Sequence, residues 1–484
     1  FVLIKKMSYE CKTDYVDNDN INPDENNQMI SGVSETSDNI LFNNEEDLIL
    51  KDATSSVKNR VKYFGIVSDS EFSAIINITS SAIGRGCFNF PSILADLGLP
   101  LTTTIFVFVS LSIYYTIDLL RRFVVDTKRF SFALMTFEIL GNKWLKIYCF
   151  SSLIFYLSIE IDYISQLYSI FSNVVTVEGV DALIINGIYS LVTIILEISI
   201  CSYIAKIQKI HLLSIISLLL FLIILIGIII QGTYRIVNDD KFKFSALIKP
   251  DIENKLEFFF EIMTYTIKFV YGFSYHSSYP ILLSNLKNID EYNTKRIHII
   301  CLVFIAISYF LITFFGNLLL IPLNVILSAQ DKTSPESKEI IFFKIIICLF
   351  MFGVIPLRFV VIRDNYCSLI DKKNQQISFK TDLIIVSICI IFCNVISYIT
   401  NENLIQFNIN SNFIGLFAGI FGVIISFILP VINYIGANGR RKVKSIIGYI
   451  LSCVFCTIGI FSVGHSIYGI FIKNKFKEEE SKSG

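Results

Sequence analysis

From residue 72 onward the chain alternates between long apolar runs and short polar or basic connections. The apolar runs fall at 72–97, 99–121, 145–171, 182–204, 211–231, 258–286, 297–322, 339–362, 382–399, 410–436 and 446–472. Each is near the ~20 residues that a helix needs to cross a bilayer. Backbone amides left unpaired in lipid are costly, so runs of this length predict helices, about 11 in all. The first 70 residues behave differently. They are rich in Asn, Asp, Glu and Ser, as in DNDNINPDENN at 17–27, and cannot bury a core. The pattern divides the chain into a disordered N-terminal tail over 1–70, a membrane domain over 71–472 and a short tail over 473–484. The tail holds no apolar stretch of signal-peptide length. The chain begins at Phe1, and Met7 is a candidate start.

Two of the spans are interrupted. The first contains AIGRGCFNFP (82–91), in which Gly84 and Gly86 flank Arg85 and Pro91 follows. The sixth contains KFVYGFSYHSSYP (268–280), with Gly272, His276, a serine pair and Pro280 in mid-span and Lys268 just before them. Glycines in a membrane helix can simply permit close packing. They do not account for an arginine, whose charge costs at least ~2.5 kcal/mol at the bilayer centre without a partner or water. Interrupted segments five spans apart point to two halves of five helices in inverted repeat, with an eleventh helix added at the C-terminal end. Unwound backbone at both breaks frees amides and carbonyls near the midplane. Amides at the start of a half-helix suit a carboxylate, and carbonyls suit an ammonium, so the pair suits a small zwitterion.

Composition supports a polytopic membrane protein: 53% of residues are hydrophobic, only 17% are charged, and mean hydropathy is +0.62. Formal net charge is zero, which offers nothing to nucleic acid. Cys389/Cys393 and Cys453/Cys456 sit at helical spacing in apolar runs and read as small apolar residues. Four histidines without HxxxH or HExxH spacing argue against a metal site, a cofactor or an enzyme. Loop charge sets orientation. With the N-terminal tail cytoplasmic, the inward loops (121–144, 206–209, 287–296, 363–380 and 440–444) hold about 18 Lys and Arg against about 7 in the outward loops. The outward loops carry neither cysteine nor an N-x-S/T sequon, which suits a vacuolar or lysosome-like membrane as well as a plasma membrane.

At these residues the chain resembles a known family. IGRGCFNFP (83–91) resembles the I-G-x-G-I-L-x-x-P element of the first helix in the amino acid/auxin permease family, of the APC superfamily. SIYYTIDLL (112–120) is similar to its second-helix pattern, S-x-Y-S-x-x-L-L. YGFSYHSSYPILLSNLKN (271–288) resembles its sixth-helix element, above all in the neutral amino acid transporter branch. IPLRFVVIRD (355–364) resembles the F-P-x-R end of the eighth helix, and NFIGLFAGIFGVIISFILPVINYIG (412–436) the tenth. The resemblance implies a LeuT-like fold and secondary transport of amino acids by alternating access, with the substrate and the lipid bilayer as partners. By position it implies that the backbone of Ile83, Gly84, Arg85, Gly86, Cys87 and Phe88 takes the substrate carboxylate. Phe269, Tyr271, Gly272, Phe273, Ser274 and Tyr275 then supply carbonyls to the ammonium and a wall to the side chain. His276 matches the family's sixth-helix histidine, and packing with a hydrogen bond is its equal alternative.

In sodium-coupled members the ion lies between the first and eighth helices, on carbonyls plus an Asn and a Thr. Here the first-helix position is Ser80, and FFKIIICLFMFGVIPLRF (342–359) holds no Ser or Thr. That implies a degraded sodium site, and proton coupling or exchange in place of sodium symport. Arg85 stands where the family has a small residue. Permanently charged, it could replace a bound cation, meet the substrate carboxylate, or pair with Glu160 or Asp162 of the third span. Those two acids, at i and i+2, point in different directions, and only one is expected to face the bundle. Either could carry a coupling proton, and a polar helix face near the membrane boundary is the alternative. Glu197, Glu261 and Lys344 read as structural or interfacial charges. A transporter-like amino acid sensor signalling through the N-terminal tail is the second functional reading.

Overall fold

The computed structural model describes residues 71–174, 182–207, 210–238, 255–284, 286, 289–318, 338–370, 379–401, 416–438 and 443–469. The expected tails, 1–70 and 473–484, lie outside the described residues. What is described is helical. The first interrupted span is α1 (Glu71–Ala82), a 3₁₀ turn (Arg85–Asn89) and α2 (Phe90–Leu97), followed by α3 (Leu99–Thr127) and a short α4 (Phe132–Leu140). Then come α5 (Asn142–Val174), α6 (Ala182–Ile207) and α7 (Ile210–Asn238). The second interrupted span is α8 (Lys255–Phe273) and α9 (Ser278–Leu283). It is followed by α10 (Glu291–Asn317), α11 (Lys338–Ile370) and α12 (Phe379–Asn401). Two π-type turns, Ala418–Gly422 and Ile424–Ile428, lead into α13 (Leu429–Asn438), and α14 (Val443–Tyr468) closes the series.

Local chemistry places the ends. Pro91 and Pro100 stand in the first turns of α2 and α3, where a missing N–H costs nothing. The Ser131 hydroxyl caps α4 by accepting from the Leu134 N–H, and Gly141, at φ 83°, ends it. Asp290 caps α10 by accepting from the Asn293 N–H at 2.6 Å. The pattern did not predict α4, which lies between two spans. Its Glu138 pairs with Arg129 at 2.8 Å. Burial pushes the Glu138 carboxyl above the ordinary range, and Arg129 offsets part of that rise.

Among the described residues, eight helices are long and apolar enough to cross a membrane. The other three expected spans are differently made. Two are the interrupted pairs α1/α2 and α8/α9, and the third is α6, whose apolar stretch is the shorter Gly187–Cys201. Burial ranks the spans. In α11, 83% of the apolar window is buried inside the protein, against 22% in α14, so α11 is central and α14 peripheral. The outward faces are apolar, as lipid requires: Ile388, Ile391, Phe392 and Val395 of α12 are exposed, as are Leu191, Val192, Ile195 and Leu196 of α6.

The ends carrying the predicted inward loops meet on one side. Asp118 holds Arg121 at 2.8 Å and Arg122 at 2.9 Å, and both arginines face Glu291 of α10. Lys128 reaches the Ile289 carbonyl, and Ser131 donates to Asp364 at 2.8 Å. Arg363 pairs with Asp382 at 3.1 Å, and the Tyr115 hydroxyl donates to the Lys444 carbonyl.

Candidate functional site

Both breaks fall where the glycines and prolines put them. Helix α1 ends at Ala82, Gly84 is fully extended (φ −148°, ψ 179°), and the chain then turns tightly through Cys87, whose N–H and thiol both donate to the Gly84 carbonyl. Helix α8 ends at Phe273, and four residues intervene before α9. The two breaks touch. A β-carbon on Gly86 would stand 2.9 Å from the Gly272 Cα, and one on Gly272 would meet the Phe90 ring at 2.4 Å. Only glycine permits backbones this close.

Tyr309 of α10 ties the breaks together. Its buried hydroxyl lies 2.9 Å from the Ala82 carbonyl and 3.0 Å from the Gly272 carbonyl, shared between the chain ends that the interruptions free. Around it Phe90, Phe106, Phe269 and Phe273 pack ring against ring, with centroid separations of 4.5 Å for Phe90–Phe269 and 5.0 Å for Phe273–Tyr309. Aromatic residues are too frequent in this sequence for the pattern to single these out.

A guanidinium does lie at the first break, and it belongs to Arg358. A β-carbon on Gly84 would collide with Arg358 Nη2 at 2.2 Å and with the Tyr163 hydroxyl at 2.4 Å. Nη2 donates to that hydroxyl at 2.9 Å, and the guanidinium lies 4.7 Å from the Tyr163 ring centroid. Arg358 Nε stands 4.0 Å from Glu160 Oε1. The pair is buried and loose: among the described residues, Nε and both Glu160 oxygens lack hydrogen-bond partners. Arg358 closes the quoted IPLR motif, but the pattern gave it no role, because it does not say which way a largely buried helix turns its side chains. Arg85 opens the 3₁₀ turn, and its side chain lies outside the described residues.

Glu160 and Asp162 do point in different directions, but both directions are interior, which corrects the expectation that only one faces the bundle. Neither lies on a boundary face: Glu160 is fully buried and Asp162 nearly so. Glu160 turns toward α11. Asp162 turns toward α8 and accepts from the Tyr271 hydroxyl at 3.4 Å. The half-buried Lys268 lies over the Tyr265 ring at 4.7 Å, in the field of Asp96, Glu261 and Asp162. The Tyr265 hydroxyl in turn donates to Asp96. Ser274, at the second break, meets Ser426 of the π-type turns at 2.7 Å. His276 is packed and bonded: its Nε2 lies 2.9 Å from the Thr116 hydroxyl. Ile83, Cys87, Phe88 and Tyr275 are buried beside these breaks.

The Ser80 hydroxyl donates to the Ser214 carbonyl of α7 at 2.8 Å. Gly353 of α11 is closed by the Ser217 side chain, 2.3 Å from where a β-carbon would stand. Serines of α7 thus contact both α1 and α11. Asn77, Ser81, Ser214 and Ser278 line a cavity of about 10 Å³, room for about one water.

A family model described as transmembrane amino acid transporter protein matches residues 68–472. No curated protein matches the chain as a relative. Among solved structures, a Na⁺-coupled sialic acid symporter in a substrate-bound outward-open state superposes with a TM-score of 0.52 at 12% identity, over 87% of this chain and 96% of that one. A mutant of the manganese transporter of Eremococcus coleocola gives 0.52 at 11% identity, over 86% and 89%. At such identities the likeness is one of fold, and that fold is LeuT-like.

Proposed function

Because this chain belongs to the transmembrane amino acid transporter family, we propose that it is a secondary carrier that moves amino acids across a membrane by alternating access. The observation that carries the reading is the contact of the two breaks at Gly86 and Gly272, with the Arg358 guanidinium against Gly84. The substrate carboxylate is received by amides of the first break other than that of Cys87, which the turn already uses, and by Arg358, which offers a planar fork of donors. The ammonium is received by carbonyls freed at 269–275. The Phe90, Phe269 and Phe273 rings form the wall against the substrate side chain.

Coupling is to a proton, or the carrier runs as an exchanger, and sodium plays no part. In support, 342–359 holds no hydroxyl side chain. Glu160 is the coupling carboxyl. When the substrate carboxylate engages Arg358, Glu160 loses part of its counter-charge, and a proton on Glu160 restores neutrality. The side bearing Arg121, Arg122, Lys128 and Arg363 faces the cytoplasm, as the excess of basic residues in those loops argues. Uptake of a panel of radiolabelled amino acids into reconstituted vesicles, with choline replacing sodium and with a pH gradient imposed, tests the reading. Saturable flux separates a carrier from a sensor. Strict sodium dependence would refute the coupling.

A further inference from the structure

Another buried carboxyl lies on α6. Glu197 projects inward from α6, a helix whose neighbouring Leu191, Val192, Ile195 and Leu196 face outward, yet it is itself only 1% exposed. It stands on one face with Ser190 and Thr193, at the i, i+3, i+7 spacing of a helical stripe. The Asn394 amide of α12 donates to Glu197 Oε2 at 3.2 Å and to the Ile390 carbonyl at 2.9 Å, which spends both its hydrogens. Its oxygen accepts from the Tyr168 hydroxyl of α5 at 2.5 Å, which fixes the amide's orientation. Tyr168 also reaches Ser190 at 3.0 Å. Among the described residues, Glu197 Oε1 has no hydrogen-bond partner, and neither has the Thr193 hydroxyl one turn before it.

This is an odd setting for a fixed charge. One neutral hydrogen bond compensates little of what a carboxylate loses on leaving water. If Asn394 needed only an acceptor, a glutamine would supply one without a charge. The titratable groups around Glu197 are Glu160 and Tyr168 from α5, Cys393 from α12 and Cys201 on α6 itself. Cys201 also feels Arg363 of α11 and Asp382 of α12. Of these, Glu160 is the acid that bears most on Glu197.

We propose that Glu197 is a proton-binding site lying outside the substrate cleft, and that its occupancy is tied to the Glu160–Arg358 pair. The step is the addition of one proton to a carboxylate oxygen, Oε1, giving the neutral acid; no other bond changes. While Arg358 balances Glu160, little net charge acts on Glu197. When a substrate carboxylate shares Arg358 and Glu160 has not yet taken up its own proton, negative charge near Glu197 grows and the proton is held. When the substrate leaves, it is released. Linkage runs both ways, so a proton on Glu197 favours substrate at Arg358 by the same factor. This coupling deepens, and rests on, the proton-coupled reading above.

The test is pH-jump infrared difference spectroscopy on the full chain reconstituted in lipid vesicles, for wild type, Glu197→Gln and Asn394→Leu. A protonated-carboxyl band is expected at acid pH in wild type. It should vanish in Glu197→Gln and shift in Asn394→Leu, where Glu197 remains but its donor is gone. If every carboxyl band of wild type persists in Glu197→Gln, the proposal is wrong. Should that variant fail to fold, an unshifted band in Asn394→Leu overturns it equally. Uptake keeps the two readings apart. A Glu197 band without pH-driven uptake leaves the proton site standing and removes proton coupling. Normal pH-driven uptake with no such band removes the site and leaves the coupling.

Discussion

Gly86 and Gly272 lie backbone against backbone, so that a single methyl group on Gly86 would come within 2.9 Å of the Gly272 Cα. The nearest obstacle is main chain, which cannot swing aside as the end of a side chain can. Gly86→Ala is therefore expected to force the two breaks apart, at about 1–3 kcal/mol. Transport should fall by more than tenfold, and the thermal midpoint should drop by several degrees. Uptake assays and a melting curve on purified protein check both.

Tyr309→Phe removes one hydroxyl and keeps the ring. That hydroxyl serves the Ala82 and Gly272 carbonyls together, at 2.9 and 3.0 Å. Leaving two buried acceptors short of a donor costs about 1–3 kcal/mol. The expected result is a lower melting midpoint and reduced maximal uptake, because the breaks lose the post that fixes their spacing. A variant indistinguishable from wild type in both would show that Tyr309 is only packing.

Arg85 and Arg358 are the two candidate cations for the substrate carboxylate, and paired variants decide between them. Arg358→Lys keeps the charge beside Glu160 and loses the planar fork. Its apparent affinity is expected to weaken tenfold or more, about 1.4 kcal/mol, with normal folding. Arg85→Ala is expected to lose transport and to keep the fold, since Arg85 opens the turn at the first break. Normal transport by Arg85→Ala would remove Arg85 from the site and leave Arg358 as its cation.

Glu160→Gln is expected to uncouple. A glutamine retains the shape and removes the charge that Arg358 balances at 4.0 Å. Exchange of labelled for unlabelled amino acid should persist. Accumulation driven by an inward proton gradient should be lost, and the pH profile of uptake should flatten. Counterflow and gradient-driven uptake, measured side by side, distinguish these results. Intact gradient-driven accumulation would move the coupling role to another carboxyl.

The architecture and both interruptions were legible because their causes are local. Apolar runs of spanning length dictate helices, and Gly84, Gly86, Gly272 and Pro280 mark where helices stop. Tertiary direction was not legible. Nothing in a mostly apolar run such as 342–359 says that Arg358 turns toward Gly84, or that Ser217 of another helix closes on Gly353. The i, i+2 spacing of Glu160 and Asp162 correctly sent them opposite ways. It missed that α5 is buried on both sides, so that neither acid reaches a surface. Tyr309 was hidden among 23 tyrosines, and only its neighbours reveal it.

The central claim is that two gaps in helical backbone meet and hold the solute between them. A cryo-electron microscopy map of the reconstituted chain, in saturating amounts of an amino acid it transports, tests this most directly. The account predicts solute density between Gly86 and Gly272, with the breaks moved apart to admit it. The carboxylate should lie within hydrogen-bond reach of Arg358. Density lodged elsewhere in the bundle, or first and sixth spans that run as unbroken rods, would contradict it.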